Sequence, residues 1–325
     1  MLGPGVGGVS LGGGYAWQTN EHGLICDNVV EFNIVLPNGV ITTVDSSQTE
    51  LFFALKGGLN RFGVVTSIVL KTIPQNNHVY GGIQVYLDSA IPALLNATTK
   101  FWKENIDPKA QIILTVNGGS TAYAVLILFY NGPNRPAAFD VFGNGTAASY
   151  STVKTQSFAS FVSNIPSEAL DGYRGAFHTL MATGFTEGYL AAIHNESAYY
   201  GNFSAAHSGV TISYEIEPFM KYGAYATDSA FPHADSPLPL NLNFAWSSTD
   251  DDAFWRTCMQ TSVNYLKEVA KREGVYSTAP AYPNYALSTY SGAQLYGEAN
   301  AKRLRAIQKT YDPTSIMSLA GGFSL

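Results

Sequence analysis

Seven glycines lie within the first fourteen residues of this 325-residue chain, and a backbone with so few side chains can bring its amides against a ligand. They occupy positions 3, 5, 7, 8, 12, 13 and 14. Because glycine loses much conformational entropy on folding, such a density is typical of segments whose main-chain amides approach a ligand, often an anionic one. No strand is recognisable before this segment. We therefore expect a ligand-binding loop whose supporting element is missing, in a chain that is the later part of a larger protein.

Two known motifs match this segment literally, and they predict different chemistry. Residues 3–8 have the spacing G-x-G-x-x-G of dinucleotide-binding loops, and residues 8–12 have the spacing G-x-S-x-G of the serine hydrolase nucleophile elbow. Both motifs need a strand before them, and its absence disfavours both interpretations, the dinucleotide one more strongly. A hydrolase acting through Ser10 remains an alternative, because four histidines follow that could supply its base. They are His178, His194, His207 and His233.

The remaining candidates for chemistry are carboxylates and thiols. Glu215 and Glu217 are two residues apart on a predicted strand, and hence on one face, where they could perform acid–base work or form a solvated surface. No pair of histidines has ligand spacing on a helix, so we predict no metal site. Cys26 and Cys258 are far apart in sequence and could pair only if the fold brings them together.

Composition excludes several classes of partner. The chain is 46% hydrophobic and only 13% charged, which is typical of a folded protein, and its net charge of −6 argues against nucleic acid. Neither a basic block nor an apolar run long enough to span a bilayer is present, so we predict no membrane partner. Four Asn-x-Ser/Thr sequons are consistent with secretion and glycosylation, although no signal peptide precedes them. The sequon asparagines are Asn96, Asn144, Asn195 and Asn202.

The pattern of apolar residues predicts the elements that position these groups. Alternation predicts strands, which we place at 30–36, 40–44, 64–73, 79–86, 111–116, 122–130, 209–217 and 240–246. A capping box at Ser47 and Glu50 predicts the start of a short helix. Longer helical patterns are found at about 89–105, 186–200, 250–273 and 294–310. Strands interleaved with helices in this way predict an α+β fold with an antiparallel sheet covered by helices on one face.

Two blocks of sequence carry a specific resemblance to a known family. In the first block, residues 5–17 read GVGGVSLGGGYAW, and residues 51–66 read LFFALKGGLNRFGVVT. In the second block, residues 282–285 read YPNY, and residues 296–313 read YGEANAKRLRAIQKTYDP. The chain resembles berberine-bridge-type FAD-linked oxidases, which have a PCMH-type flavin domain and belong to the vanillyl-alcohol-oxidase superfamily. The blocks cover about 125 residues, and the middle of the chain matches only in its α+β character.

The resemblance implies a domain organisation and a cofactor, FAD. Residues 1–75 would be the second half of the FAD-binding domain, 76–275 the substrate-binding domain, and 276–325 a segment that returns to the flavin. The glycine segment would lie on the flavin ring and pyrophosphate, residues 63–65 along the adenosine half, and Asn284 at the flavin edge. The cofactor-binding residues it implies are Gly5, Val6, Gly7, Gly8, Ser10, Leu11, Gly12, Gly13, Gly14, Tyr15, Gly63, Val64, Val65 and Asn284.

The resemblance also implies a reaction. A hydride would pass from an alcohol, amine, sugar or secondary metabolite to flavin N5, dioxygen would reoxidise the flavin, and a base would remove a substrate proton. The candidate bases are Tyr282, Tyr285 and Glu217. A descendant that binds or folds its ligand without redox change, as a pericyclase does, is an alternative.

The chain also departs from the family pattern. The first half of the flavin domain, with its covalently attached histidine, is missing, and Met1 occupies the position of the cysteine that forms a second flavin bond in some members. We therefore expect this chain alone to bind FAD weakly or not at all.

Overall fold

The computed structural model describes residues 5–119, 122–143, 147–165 and 170–325. The chain divides into two compact units. The larger unit comprises residues 75–220 and 237–277, and the smaller comprises 5–74, 221–236 and 278–325. The sequence places residues 221–236 in the middle domain, whereas the structure packs them with the smaller unit.

Strands and helices alternate along the chain. The strands are β1 (Val29–Val35), β2 (Ile41–Asp45), β3 (Val64–Leu70), β4 (Val79–Leu87), β5 (Ala110–Gly118), β6 (Tyr123–Tyr130), β7 (Tyr150–Ser151), β8 (Lys154–Gln156), β9 (Arg174–Ala182), β10 (Gly209–Ile216) and β11 (Leu238–Trp246). The α-helices are α1 (Val6–Leu11), α2 (Thr19–His22), α3 (Thr49–Leu55), α4 (Ile91–Glu104), α5 (Phe158–Ser163), α6 (Glu187–Gly201), α7 (Asp252–Arg272) and α8 (Gly292–Tyr311). No described helix is both long enough and apolar enough to cross a membrane.

The larger unit is built on an antiparallel sheet with the strand order β7-β4-β6-β5-β10-β11-β9, in which β8 also pairs with β4. Helix α6 packs on β5 and β10, and α7 packs on β9. Tyr214 of β10 is fully buried and its hydroxyl hydrogen-bonds to Ser262 of α7 at 2.8 Å, so this face of β10 is the one covered by helix. The predicted α+β class is confirmed. The sequence missed β9, whose Gly175, Ala176 and central His178 break the apolar alternation.

Glycine allows α6 to approach the end of β5 closely. A Cβ atom added at Gly118 would lie 1.7 Å from the backbone oxygen of Ser197. We expect Gly118→Ala to lower the free energy of unfolding by about 1–3 kcal/mol or more, because backbone must move to make room. Urea unfolding of both variants measures this, with Gly175→Ala as the control, since its Cβ would meet only Phe244 O at 3.4 Å. Equal losses in the two variants would contradict the close packing.

The smaller unit contains a three-stranded antiparallel sheet with the order β2-β1-β3. Its core joins the sheet to α3 and α8 through buried Phe32, Phe53 and Leu304. The predicted capping box of α3 is wrong: the helix begins at Thr49 without a side-chain cap. Glu50 instead accepts hydrogen bonds from Arg303 of α8, at 2.7 and 3.0 Å.

The glycine segment is more regular than predicted. Residues 6–11 form α1, which ends at Gly12, and Gly13 and Gly14 follow with φ of +113° and +91°. The segment can be helical because Ser10 is fully buried and Leu11 packs against the core of the smaller unit. The part that needs positive φ is therefore Gly13 and Gly14, whereas Gly7 and Gly8 lie within the helix.

Candidate cofactor site and acid–base groups

The glycine segment meets the carboxy-terminal segment within the smaller unit. The Asn284 Nδ2 donates to the carbonyl oxygen of Val9 at 3.2 Å and to the Tyr282 hydroxyl at 2.8 Å. That hydroxyl also accepts from the Gly14 amide, at 3.1 Å. A Cβ added at Gly12 would lie 2.0–2.5 Å from the Asn284 side chain, so glycine is required there by close contact. Residues about 270 positions apart in sequence thus form one hydrogen-bonded unit.

These contacts decide which glycine amides remain for a ligand. The amides of Gly12 and Gly13 donate to the carbonyls of Gly8 and Ser10, and the Gly14 amide donates to the Tyr282 hydroxyl. These three amides are therefore already hydrogen-bonded within the protein and do not face a ligand as predicted. The amides of residues 6–8 form the first turn of α1, where no carbonyl of the helix can accept from them. Residues 5–8 are exposed, so the beginning of the segment is the part whose amides could contact a ligand.

A cluster of aromatic side chains surrounds this junction. The Tyr282 ring makes edge-to-face contacts with Tyr15 and Tyr285, each with centroids 4.8 Å apart, and packs against Phe231 at 5.3 Å. The hydroxyls of Tyr15 and Tyr222 are 2.5 Å apart, and burial raises the pKa of Tyr222 well above its ordinary value. Tyr282 is almost fully buried, whereas Tyr285 is partly exposed. The ring contacts with Tyr15, Tyr285 and Phe231 therefore hold the Tyr282 hydroxyl in place.

A buried carboxylate and imidazole lie beneath the cluster. Asp27 accepts from His233 Nε2 at 2.8 Å, from the Leu24 amide at 2.9 Å, and from both the amide and the hydroxyl of Thr227 at 2.9 Å. His233 Nδ1 lies 2.8 Å from the Phe231 carbonyl, which accepts from it. Burial alone would raise the pKa of Asp27, but the hydrogen bonds and charge of His233 and the bonds from Thr227 outweigh it and lower that pKa. The carboxylate is therefore ionised and fully hydrogen-bonded.

Three potential metal donors, from Cys26, Asp27 and His233, lie within 4.8 Å of one another. Burial raises the pKa of the Cys26 thiol strongly, so this group is neutral, and thiolates rather than thiols bind metals. Both oxygens of Asp27 and both ring nitrogens of His233 are engaged in hydrogen bonds. We interpret this group as a structural hydrogen-bond network. Cys26 and Cys258 are both free thiols.

Lys56 fixes the segment that carries His233. Its ammonium group donates to the Thr227 hydroxyl and, at 3.1 Å, to the Asp228 carbonyl. Burial lowers the pKa of Lys56, opposed by the nearby Cys26 and Asp27. The Ala230 amide bonds to the Lys56 carbonyl at 2.9 Å. Residues 221–236 are therefore tied to α3 by both main-chain and side-chain bonds.

The predicted adenosine-side residues lie at the start of β3. Gly63 has φ of +142°, and a Cβ there would lie 2.5 Å from the Val35 carbonyl oxygen, so this position accepts only glycine. Val64 is 58% exposed and Val65 is half-buried. The contact of residues 63–65 with a nucleotide stays a prediction.

The larger unit carries the carboxylate pair. Glu215 lies on β10 between the helix-facing residues Tyr214 and Ile216, hence on the opposite face, and Glu217 follows the end of the strand. Glu215 accepts a 2.8 Å hydrogen bond from Asn241 of β11, its partner in register. Burial raises the pKa of Glu215, and the hydrogen bonds from Asn241 and Asn243 oppose that rise.

This carboxylate belongs to a polar row that crosses four strands. In register, Thr115, Glu215, Asn241 and Thr179 are side by side. Among the residues that the structure describes, Asn241 Oδ1 is buried and has no hydrogen-bond partner. The Asn241 oxygen could accept a hydrogen bond from a substrate hydroxyl or amine. The neighbouring carboxyl group of Glu215, whose pKa is raised, could then exchange a proton with that hydroxyl or amine.

The geometry gives no support to the hydrolase alternative. Ser10 is fully buried, and its Oγ has no hydrogen-bond partner among the described residues. A nucleophilic serine needs a base within hydrogen-bond reach, and both ring nitrogens of His233 are bonded to other groups. His178, His194 and His207 belong to the larger unit.

Comparisons with known proteins agree on one family. The family model "Berberine and berberine like" matches residues 281–319. An uncharacterized FAD-linked oxidoreductase of Arthroderma benhamiae is 38% identical over 163 residues, covering 49% of this chain and 32% of the relative. The FAD-dependent monooxygenase drtC of Aspergillus calidoustus is 28% identical over 99% of this chain and 64% of its own length.

Solved structures share the fold. The 6-hydroxy-D-nicotine oxidase of Arthrobacter nicotinovorans superposes with a TM-score of 0.76 at 19% identity, over 96% of this chain and 69% of that one. Glucooligosaccharide oxidase of Acremonium strictum gives the same TM-score, identity and coverage.

The chain therefore has the fold of these FAD-linked oxidases. The chain is similar to berberine-bridge-type FAD-linked oxidoreductases, both in its carboxy-terminal segment and in its fold. It spans about a third of the Arthroderma relative and just under two thirds of the Aspergillus relative.

Several site residues were missed by the sequence. Asp27 lies in no pattern that indicates chemistry, and His233 was named only as a possible hydrolase base, because the two residues are 206 positions apart and their pairing is visible only in the fold. Tyr222 lies in a segment without helical or strand periodicity. Asn241 could have been found, because it follows a strand-like alternation and pairs with the predicted Glu215 strand.

Proposed function

We propose that the protein is an FAD-dependent oxidoreductase that oxidises a small molecule carrying an alcohol or amine group, with dioxygen as the electron acceptor. The observation that carries this proposal is the hydrogen-bonded junction of Val9, Gly12 and Gly14 with Tyr282 and Asn284. It joins the two blocks of sequence that resemble the flavin-binding parts of the family. The names of the relatives, which include FAD-dependent monooxygenases and oxidases, support the same activity.

The beginning of the glycine segment fits a flat, partly anionic cofactor. A Cβ added at Gly5, Gly7 or Gly8 would meet no atom within 4 Å, so the described packing does not itself require glycine there. Each glycine within a helix costs about 1 kcal/mol relative to alanine. A cofactor lying directly on this backbone accounts for these glycines, and the amides of the first turn, which have no carbonyl partner within the helix, suit its phosphates or carbonyl oxygens.

The chain's own residues would perform positioning and proton transfer. When bound, the flavin would accept a hydride at N5 and pass electrons to dioxygen. Asn284 and Tyr282 would hold the glycine segment at the flavin edge. Glu215, whose pKa is raised by burial, would take the proton from a substrate hydroxyl or amine, with Asn241 as its hydrogen-bond partner. Tyr282, Tyr285 and Glu217 remain predicted bases. The two hydrogen bonds that the Tyr282 oxygen accepts favour a positioning role for it.

The test is to express the protein from its complete gene and to measure bound flavin and hydrogen peroxide. We expect visible flavin absorption after purification, anaerobic bleaching by a substrate from a panel of alcohols, amines and sugars, and peroxide on readmission of air. A protein that stays colourless when purified with excess FAD would contradict the proposal. A flavoprotein that converts substrate without bleaching would point instead to the non-redox alternative.

Glu215→Gln tests the proton-transfer role. We expect kcat/KM to fall about 10²- to 10⁴-fold with unchanged flavin content, because an amide cannot accept the proton. The measurement is substrate-dependent flavin reduction in a stopped-flow instrument, across a pH series. Glu217→Gln distinguishes the two carboxyl groups, and exposed Glu104→Gln is the control. If Glu217→Gln alone loses activity, Glu217 is the base.

The four sequons support passage through the secretory pathway, which we propose as the route of this protein. Asn96, Asn195 and Asn202 are exposed, as glycosylation requires, and Asn144 lies outside the described residues.

A further inference from the structure

An aromatic groove lies on the outer side of α6 and α7 in the larger unit. Its volume is about 470 Å³. Its walls are the rings of Tyr199, Phe203 and Phe254, with neighbouring centroids 5.4 and 5.8 Å apart, and Tyr199 is 56% exposed. Most of the remaining lining is small or polar, from Ala253, Thr257, Cys258 and Thr261. Rings exposed in this way at a folded surface are a site for a ligand with an apolar face.

Two sequon asparagines lie beside this groove. On α6, Asn195 and Tyr199 are four residues apart, and Asn202 follows Tyr199 by three at the carboxy-terminal cap of the helix. Residues three and four apart share one helix face, with Cβ atoms about 5–6 Å apart. All three are exposed. The exposed stripe of α6 therefore places a groove-lining tyrosine between two potential glycosylation sites, and Phe203, the residue after Asn202, also lines the groove.

We propose that Asn202 is N-glycosylated and that the first N-acetylglucosamine of this glycan packs against Tyr199 and Phe203 in the groove. The pyranose ring has an apolar face of C–H groups that suits an aromatic ring, while its hydroxyls stay in water. A link at Asn202 brings the sugar within one helical turn of Tyr199. Asn96 differs in its surroundings, since its side chain donates a hydrogen bond to Glu187 at 3.2 Å.

The modification is a group transfer without redox change. An oligosaccharide leaves a lipid pyrophosphate donor as its anomeric C–O bond breaks, and a C–N bond forms to Asn202 Nδ2. The nitrogen loses one proton and the lipid pyrophosphate is the leaving group. This inference is independent of the redox chemistry and rests only on the proposed passage through the secretory pathway.

The first experiment maps occupancy. The protein is secreted from a eukaryotic host, treated with peptide N-glycosidase F, and digested for mass spectrometry, which reads each released site as an Asn-to-Asp change. We expect the Asn202 peptide to be converted. Conversion of Asn96 and Asn195 without Asn202 overturns the proposed site, whereas conversion of none also overturns the secretory route. Neither outcome bears on the proposed oxidoreductase activity, because flavin content and peroxide release test that activity separately.

The second experiment tests whether the first sugar packs against the aromatic rings of the groove. Native, folded protein is treated with the same enzyme, and the release rate at Asn202 is followed. We expect Tyr199→Ala to speed release roughly three- to tenfold at Asn202 only, the factor expected for loss of one ring contact. Tyr265→Ala, which removes a 49% exposed tyrosine of α7 outside the groove, is the matched control and should leave the rate unchanged.

A second variant guards against a folding defect. Phe203→Ala keeps the sequon and removes another wall of the groove, so it should also speed release at Asn202. Both variants should melt within a few degrees of the parent protein. Release rates at Asn202 that match the control in both variants would show that the sugar does not occupy the groove.

Discussion

Gly12→Ala is expected to lower both the stability of the protein and its affinity for FAD. The new Cβ would lie 2.0 Å from Asn284 Oδ1, so the Asn284 side chain must move. This movement breaks its hydrogen bonds to the Val9 carbonyl and the Tyr282 hydroxyl, which join the two segments. We expect a loss of about 1–3 kcal/mol in the free energy of unfolding. We also expect at least a tenfold loss in FAD affinity, the equivalent of about 1.4 kcal/mol. Chemical unfolding and flavin fluorescence titration measure the two quantities, both on the protein expressed from its complete gene.

The matched control is Gly7→Ala, five residues earlier and within α1. A Cβ there meets no atom within 4 Å, and alanine favours helix by about 1 kcal/mol, so the apoprotein should be as stable as the parent or more stable. If FAD lies on this backbone, the same methyl group should nevertheless weaken FAD binding. Unchanged affinity in Gly7→Ala, combined with a loss in Gly12→Ala, would place the cofactor away from the exposed glycines.

Local pattern predicted most of the elements of the fold. The hairpin of β1 and β2 follows from alternation on both sides of Pro37 and Gly39, the latter with φ of +84°. The long helices α4, α6, α7 and α8 end within about two residues of the predicted bounds. These features depend on neighbours in sequence, which is why a single chain suffices to find them.

The parts that were missed depend on distant partners. α1 is helical although it is rich in glycine, because Ser10 and Leu11 are held by packing, and packing cannot be read from local propensity. β9 exists because all nine of its residues pair with β11. Residues 221–236 join the smaller unit through hydrogen bonds of Lys56 with Asp228 and Ala230. No periodic pattern in the sequence predicts these contacts.

The same reasoning applies to the candidate site. Tyr282 and Asn284 were found because their segment resembles a known family, and Gly12, Gly14 and Tyr15, which they contact, were found for the same reason. Asp27 and His233 carry no such pattern, yet they support the aromatic cluster from below, since His233 stacks on both Tyr222 and Phe231. Groups that position others are defined by three-dimensional contacts, and so they appear only with the fold.

Asp27→Asn is expected to have the largest effect on stability in the smaller unit. The carboxylate accepts four hydrogen bonds, and an amide in its place would present N–H groups to at least one donor among Leu24, Thr227 and His233. Breaking a buried charged pair costs about 3–5 kcal/mol, and the similar shape of asparagine places this change at the lower end. Urea unfolding at neutral pH measures the loss.

The pH dependence of this difference identifies its cause. The pKa of Asp27 is lowered by folding, so the stabilisation that it contributes is fully present above its ordinary value of 3.8 and is lost as the pH falls through the lower value in the folded state. The difference in the free energy of unfolding between parent and variant should therefore narrow as the pH falls below about 4. Asp235→Asn, the same change at an exposed position of the same segment, should lie within about 0.5 kcal/mol of the parent throughout. A gap that persists unchanged in acid would assign the effect to lost packing, because only the charged carboxylate loses its advantage on protonation.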